Sequence, residues 1–398
     1  MMAENRDLGH FIPVACEDLK RWLSRKASTP SLGKELTQVF ELMAATIHFE
    51  YHKLLNELKS HYSPTDPDSD VQTLGPVREM DHAGFFRSFR SLMERSNFQP
   101  LDTDSILSAA DKETTRRGLH MRVNPEVFEH LEGYIRGDGT VNVTHTPWWK
   151  PWGKVVETVP VHQRMVLAFR LRPHKSLPQD MDLRAIHLKL FRRVPKADVE
   201  MLLPGAAVKL STFDKGMIGL PIISGILMLI VNIVLGIMFA GAAALANFVS
   251  WGMAIAFGGY GYRSYQNFQV KRQAHNLTLT QNLYYQKLDS NAGVIMRLVD
   301  EAEEQECREA FLAYYALVTA APSEGWTREM LDDWVELFLE GEAKLRVDFE
   351  VEDALAKLER FGVLTRTGDR LRALPPQQAL AKLDEAWDNF FNYSNAAT

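Results

Sequence analysis

Apolar residues recur at helical spacing through the first part of the chain. Over 34–61, Leu36, Phe40, Met43, Ile47, Leu54 and Leu58 gather on one side of a predicted amphipathic helix. A shorter helix opens the fold in "FIPVACEDLKRWLS", and further helices are predicted over 85–96, 104–116 and 125–136. The Pro- and Asp-rich "SPTDPDSD" reads as a loop. The period then changes to two. "VVETVPVHQRMVLAFRL" (155–171) and "AIHLKLF" (185–191) read as strands paired across "RPHKSLPQDMD", and "AAVKLS" as a third, shorter strand. Helical spacing returns over 294–320, 328–339 and 350–361, followed by a strand pair in "VLTRTGDRLRAL" and a last helix to about Phe390. Helix, helix, helix and hairpin, in that order, predict a winged-helix-like module.

Between Lys215 and Arg263 no charged residue occurs. As one helix, 216–262 would be about 70 Å long, against about 30 Å of hydrocarbon in a bilayer. Two spans fit better, near 217–239 and 242–262, with the turn in "FAGAAALAN". The second is the weaker, since it carries Asn247, Ser250 and several glycines, and it is expected to be tilted, kinked or re-entrant. Neither half has the polar stripe of a helix on a protein surface, so the expectation is a transmembrane helical hairpin. Arg192, Arg193, Lys196, Lys209 and Lys215 precede it, and Arg263, Lys271 and Arg272 follow it. Those charges predict both termini on the cytoplasmic side, with the lipid bilayer as a partner. Asn232 and the pair Ala254 and Gly258 suggest helix–helix contact and a homo-oligomer.

Charge divides the chain. From Arg297 onward there are 11 basic against 22 acidic residues, while the remainder carries 34 against 29. The acidic C-terminal part is a poor surface for nucleic acid, and the helix that would enter a groove carries Asp348, Glu350, Glu352 and Asp353. DNA binding is therefore not expected. Cys16 and Cys307 are the only cysteines, far apart in sequence. In the reducing compartment that the topology implies, no disulfide is expected. "MMAENRDLGHF" has neither the apolar region of a signal peptide nor the composition of a transit peptide.

Candidate chemistry is sparse. His48 and His52 lie four apart on one helix face, a spacing that can hold a metal. No neighbouring motif offers a third ligand, and a solvated or core-edge pair is the better reading, so no metal, cofactor or catalytic residue is expected. "DEAEEQECRE" (300–309) lacks the histidines of a di-iron site. It is expected to be a solvated acidic face, with pairing to basic residues as the second reading. "TPWWKPWGK" (146–154) reads as a rigid loop or a segment lying at a lipid interface. There is no phosphate-binding loop, GxGxxG, Gly-x-Ser-x-Gly or CxxC.

The segments "KLFRRVPKADVEMLLPGAAVKLSTFDKG" and "YRSYQNFQVKRQAHNLTLTQNLYYQKLDSNAGVIMRLVDEAEEQECREAFLAYYAL" flank the uncharged run. With "HFIPVACEDLKRWL" and "SNFQPLDTDSILSA" they resemble a family, the domain of unknown function 3754, which includes mitochondrial transmembrane protein 143. The resemblance implies a two-span membrane protein and brings no activity and no site residues. Without a presequence, a bacterial member in the cytoplasmic (inner) membrane is implied.

The expectation is thus an α+β integral membrane protein. It divides into a helical region (1–140), a small β-containing region (141–215), the hairpin (216–262) and an acidic winged-helix-like region (263–398). Its expected role is that of a membrane-anchored scaffold or regulatory protein with unknown protein partners. Alternatives are a subunit of a homo-oligomeric conduit for ions or solutes, and an enzyme with its site in the N-terminal region.

Overall fold

The structure is a computed structural model. It describes residues 9–70, 81–102, 120–122, 124–145, 155–175, 177, 182–196, 199, 202–204, 207–209 and 286–391. It also describes single helical positions at 223, 227, 230, 231, 234, 252, 259, 262, 263, 266, 269 and 270.

Three helices come first: α1 (Cys16–Lys26), α2 (Pro30–Tyr62) and α3 (His82–Arg95). Pro30 sits at the start of α2, where its missing N–H costs nothing, and the Thr29 side chain accepts from Leu32 N at 3.2 Å. Asp81 caps α3 in the same way, accepting from Gly84 N at 2.8 Å. Strands β1 (Gln99–Leu101), β2 (His120–Arg122), β3 (Phe128–His145), β4 (Val155–Leu171), β5 (His187–Pro195), β6 (Ala207–Lys209) and β7 (Lys287–Ser290) follow. The antiparallel order is β1-β3-β4-β5-β7 in the main sheet, and β2 pairs with β6 apart from it. Then come α4 (Ala292–Thr319), α5 (Arg328–Phe338), α6 (Val351–Arg360), the hairpin β8 (Leu364–Thr367) and β9 (Arg370–Ala373), and α7 (Pro376–Asp388).

Both faces of the sheet are covered. Met165, Leu167, Phe169 and Leu171 pack on one side with Leu131 and Phe191. Val166 and Ala168, of opposite parity, pack on the other with Tyr134, Leu188 and Leu190, under the helices. This explains the unbroken apolar run in the middle of β4. Helix α4 is the hub of the helical side and is buried around much of its girth, from Val294 to Leu317. Phe40 of α2 meets Phe311 with ring centroids 4.6 Å apart and Tyr314 edge-on at 6.4 Å. Residues on both sides of 216–262 therefore build one hydrophobic cluster.

The expectation of an integral membrane protein is corrected. Among the described residues no helix is long and apolar enough to cross a membrane. The fold is a mixed one, helices packed on an antiparallel sheet, and the transmembrane hairpin and the inner-membrane, both-termini-inside placement are withdrawn with it. The physical reason is that absence of charge argues for burial of apolar surface without saying what buries it. Ile223, Leu227, Ile230, Val231, Val234, Gly252, Gly259 and Tyr262 are helical. The rest of 216–262, with Asn232, Ala254 and Gly258, lies outside the described residues, as do the helix expected at 104–116 and the segment 146–154.

A second correction concerns 125–136, which forms a single 3-10 turn (Pro125–Val127) and then the first half of β3. His130, Glu132, Tyr134 and Arg136 alternate with Leu131, Gly133 and Ile135, a period of two that its polar half disguised. Ahead of α4, Lys287–Ser290 form β7 at the edge of the main sheet.

Candidate functional site

Register across the main sheet places Arg136 of β3 opposite Arg164 of β4, and Arg164 opposite Arg192 of β5. Three guanidinium-bearing side chains thus leave one face of three adjacent strands in a row. The next row inward is Tyr134, Val166 and Leu190, which belongs to the core beneath the helices. Like charges directly opposite one another destabilise a sheet, so such a row calls for compensation.

Part of it comes from α4. Glu301 pairs with Arg136 Nη2, and its Oε1 lies 3.4 Å from Arg297 Nε. Arg136, only 5% exposed, also donates to Ser96 O at 3.0 Å, and its guanidinium lies 4.3 Å over the Phe11 ring and 4.5 Å over Phe98. Burial pushes Arg136 below its ordinary value; Glu301 opposes this and Arg164 and Arg308 add to it. Burial also lowers Arg164, with Glu301 opposing and Arg297, Arg192 and Arg193 adding to the fall. Burial works against the Glu301 charge, yet Arg136, Arg164 and Arg297 together hold its carboxyl below the ordinary value.

Glu301 therefore serves Arg136 directly and Arg164 through its field, with Arg193 (φ +50°) immediately beyond the row. Arg164 has no ion pair and no side-chain hydrogen bond among the described residues. These groups line an open cavity of about 620 Å³, walled on its apolar side by Phe11, Val141, Val159 and Val161. A pocket of that size accepts a drug-sized molecule.

Two polar clusters flank the row. Outward, His162 Nδ1 lies 3.0 Å from Asp138 Oδ1, and Lys196 Nζ donates to Asp138 Oδ2 at 2.6 Å. Burial lowers His162 despite the pull of Asp138. Inward, Glu132 receives the Tyr134 hydroxyl at 2.6 Å and Arg90 Nε at 2.9 Å, and lies 2.8 Å from His130 Nε2. Burial opposes its charge, but hydrogen bonds from His130, Arg90 and Tyr134 prevail and hold it at about 2. A depressed folded-state value stabilises the fold above the unfolded value of about 4.3, and the gain disappears as pH falls through 2. The stability difference between wild type and Glu132→Gln, from urea midpoints, is therefore expected to shrink from pH 7 to pH 2.5.

His48 Nδ1 lies 2.9 Å from Glu303 Oε1, and the exposed His52 ring is 6.5 Å from Phe49. Among the described residues no group of three or more metal-ligating side chains is gathered. The acidic run 300–309 is not a solvated face. Beside Glu301 and Glu303, Glu304 pairs with Arg308 at 2.8 Å, Glu306 with Lys357, and Glu309 is buried with its carboxyl, pushed well above the ordinary value by burial, accepting from Gln305 at 2.6 Å.

Sequence reasoning missed the arginine row. The helix predicted over 125–136 contains Arg136, and the basic flank of the uncharged run contains Arg192 and Arg193. The legible signal was Arg164, a charge set inside the most apolar strand of the chain.

Residues 162–293, about a third of the chain, match the model of a family described as a protein of unknown function, DUF3754. The matched segment includes Arg164, Arg192 and Arg193 and stops short of Arg136. It supports the resemblance to an uncharacterised family and carries neither a membrane placement nor a tie to transmembrane protein 143. No solved structure matches the chain.

Proposed function

We propose that this chain is a regulatory binding protein or scaffold without chemistry of its own, which responds to an anionic small molecule seated on the arginine row. The observation that carries this reading is Arg164, half-buried in register between Arg136 and Arg192 and without an ion pair among the described residues. Planar guanidinium groups grip phosphate and carboxylate oxygens two at a time, and the half-buried position of Arg164 excludes the water that would weaken the grip. Phe11, Val141 and Val159 would receive an apolar body attached to the anion. Self-association, further protein partners and kinship with the transmembrane protein 143 group belong to the same proposal. The metal-enzyme alternative at His48 and His52 loses its support, since His48 is engaged by Glu303.

Titration calorimetry with pyrophosphate, at ionic strength matched with chloride, tests the reading. Binding to the wild-type chain is expected, with an affinity loss of about tenfold to a hundredfold in Arg164→Ala, the range for one charge-assisted pair. Arg346→Ala, at a surface position distant in sequence and paired with Glu340 at 2.7 Å, is expected to bind as wild type does. No heat and no thermal shift with phosphates or carboxylates beyond the chloride control would overturn the proposal.

A further inference from the structure

The arginine row and the valines beside it do not follow one alternation. On β4, Val166 and Ala168 face the helices, and Arg164 continues their parity. Strict alternation would put Val161 and Val159 on the opposite face. Yet Arg164, Val161 and Val159 line the same cavity.

The neighbouring strands change phase at the same level. On β3, Tyr134 and Arg136 precede the change, and Val141, of the other parity, follows it into the cavity. On β5, Leu190 faces the helices, whereas Val194, of the same parity, belongs to the cluster on the far side. Between the Arg164 and His162 rows, each flanking strand carries one left-handed residue: Gly137 (φ +68°) on β3 and Arg193 (φ +50°) on β5. Glycine adopts that conformation freely, and arginine does not. Strained residues of this kind persist where the surrounding structure imposes them, and they cluster at functional sites. Here the change turns a charged row and an apolar wall toward one space.

That space is amphipathic. Its lining holds four guanidinium groups, those of Arg136, Arg164, Arg192 and Arg193, and no carboxylate among the described residues. Val159 and Val161 are 2% and 1% exposed and belong to neither hydrophobic cluster, so the wall they form is dry without being part of the core. A volume of about 620 Å³ is that of a site for an organic molecule and is more than an inorganic anion fills. From Arg164 to Val159 the strand rises about 16 Å.

We propose that the ligand of this cavity is an alkyl phosphate, its phosphomonoester head on Arg164 and its unbranched chain along Val161, Val159 and Val141. This rests on the anion reading given above and names the class of molecule. The head is a phosphate because a phosphomonoester brings about two negative charges and three acceptor oxygens to a lining rich in guanidinium groups. The tail is an alkyl chain because the wall beyond the arginines offers it no polar group to satisfy.

The test is titration calorimetry on the full chain with methyl, hexyl and decyl phosphate, each below its micellar concentration, beside pyrophosphate. Affinity is expected to rise with chain length by about fourfold for each methylene buried. Decanoate is expected to bind more weakly than decyl phosphate, and decyltrimethylammonium not to bind. Val161→Thr keeps the shape of the wall and is expected to lower the preference for decyl over methyl phosphate about tenfold. Should that variant fail to fold, Val141→Thr, at a half-buried position, reads the same ratio. Pyrophosphate binding without any gain from methyl to decyl phosphate would overturn this inference and leave the anion reading standing. Decanoate or decyltrimethylammonium binding as tightly as decyl phosphate, or a ratio unchanged in a folded variant, would overturn it as well. Absence of binding by every phosphate, pyrophosphate included, would remove both.

Discussion

Replacing Lys357 by alanine is expected to cost about 3–5 kcal/mol of stability, the range for stranding buried charge. Lys357 is 6% exposed on α6, and its Nζ lies against Glu306 of α4 and 3.2 Å from Glu50 of α2. Arg360, one turn further along α6, holds Glu50 as well. Truncation leaves Arg360 to neutralise Glu50, while Glu306, with its side chain 16% exposed, faces the core without its cation. The penalty is the desolvation of that stranded carboxylate more than the loss of an attraction. Lys357→Met/Glu306→Gln is therefore expected to recover most of the loss, because it removes both charges and keeps the volume. Urea unfolding of the single and double variants measures the coupling. Equal stabilities of Lys357→Ala and wild type would show the cluster to be solvated.

The second large effect belongs to Glu301→Gln. It removes the carboxylate that meets the arginine row while keeping the shape of the side chain. Arg136, 5% exposed, then faces Arg164 and Arg192 with Glu301's charge gone, and a loss of about 3–5 kcal/mol is expected in chloride buffer. The same change should raise pyrophosphate affinity by about tenfold or more, since the internal competitor for the guanidinium groups is gone. Ligand at a hundred times its dissociation constant returns about 2.7 kcal/mol. The unfolding midpoint of the variant should thus climb with pyrophosphate, and more steeply than that of wild type. A variant destabilised equally with and without the anion would separate Glu301 from any ligand site.

Much of the helical framework was legible because its periodicity is local. The helix predicted over 34–61 is α2, that over 294–320 is α4, and the alternating run 155–171 is β4 to the residue. What escaped depends on partners distant in sequence. At 125–136, four polar residues occupy alternate positions because Glu132 meets Arg90, His130 and Tyr134, and Arg136 meets Ser96 and Glu301, rather than water, and amphipathic reasoning that sorts polar residues outward misreads them. The acidic run on α4 escapes for the same reason: its carboxylates meet Arg136, His48 and Lys357, brought in from three other parts of the chain, and Arg308 one turn along the same helix. The arginine row is a product of strand register, which no local window contains. The uncharged run misled in the opposite way, since its apolar character is local and its surroundings are not.

The packing of Phe40 on Phe311 has a consequence for how the protein is made. Contacts that span so much of a chain form late and slowly. A ribosome adding about 5–20 residues per second needs roughly 15–50 s to deliver the second aromatic after the first. Throughout that interval the apolar side of α2 waits for its partner, which makes the nascent chain a natural client for a chaperone that shields greasy helices until synthesis has passed the central one.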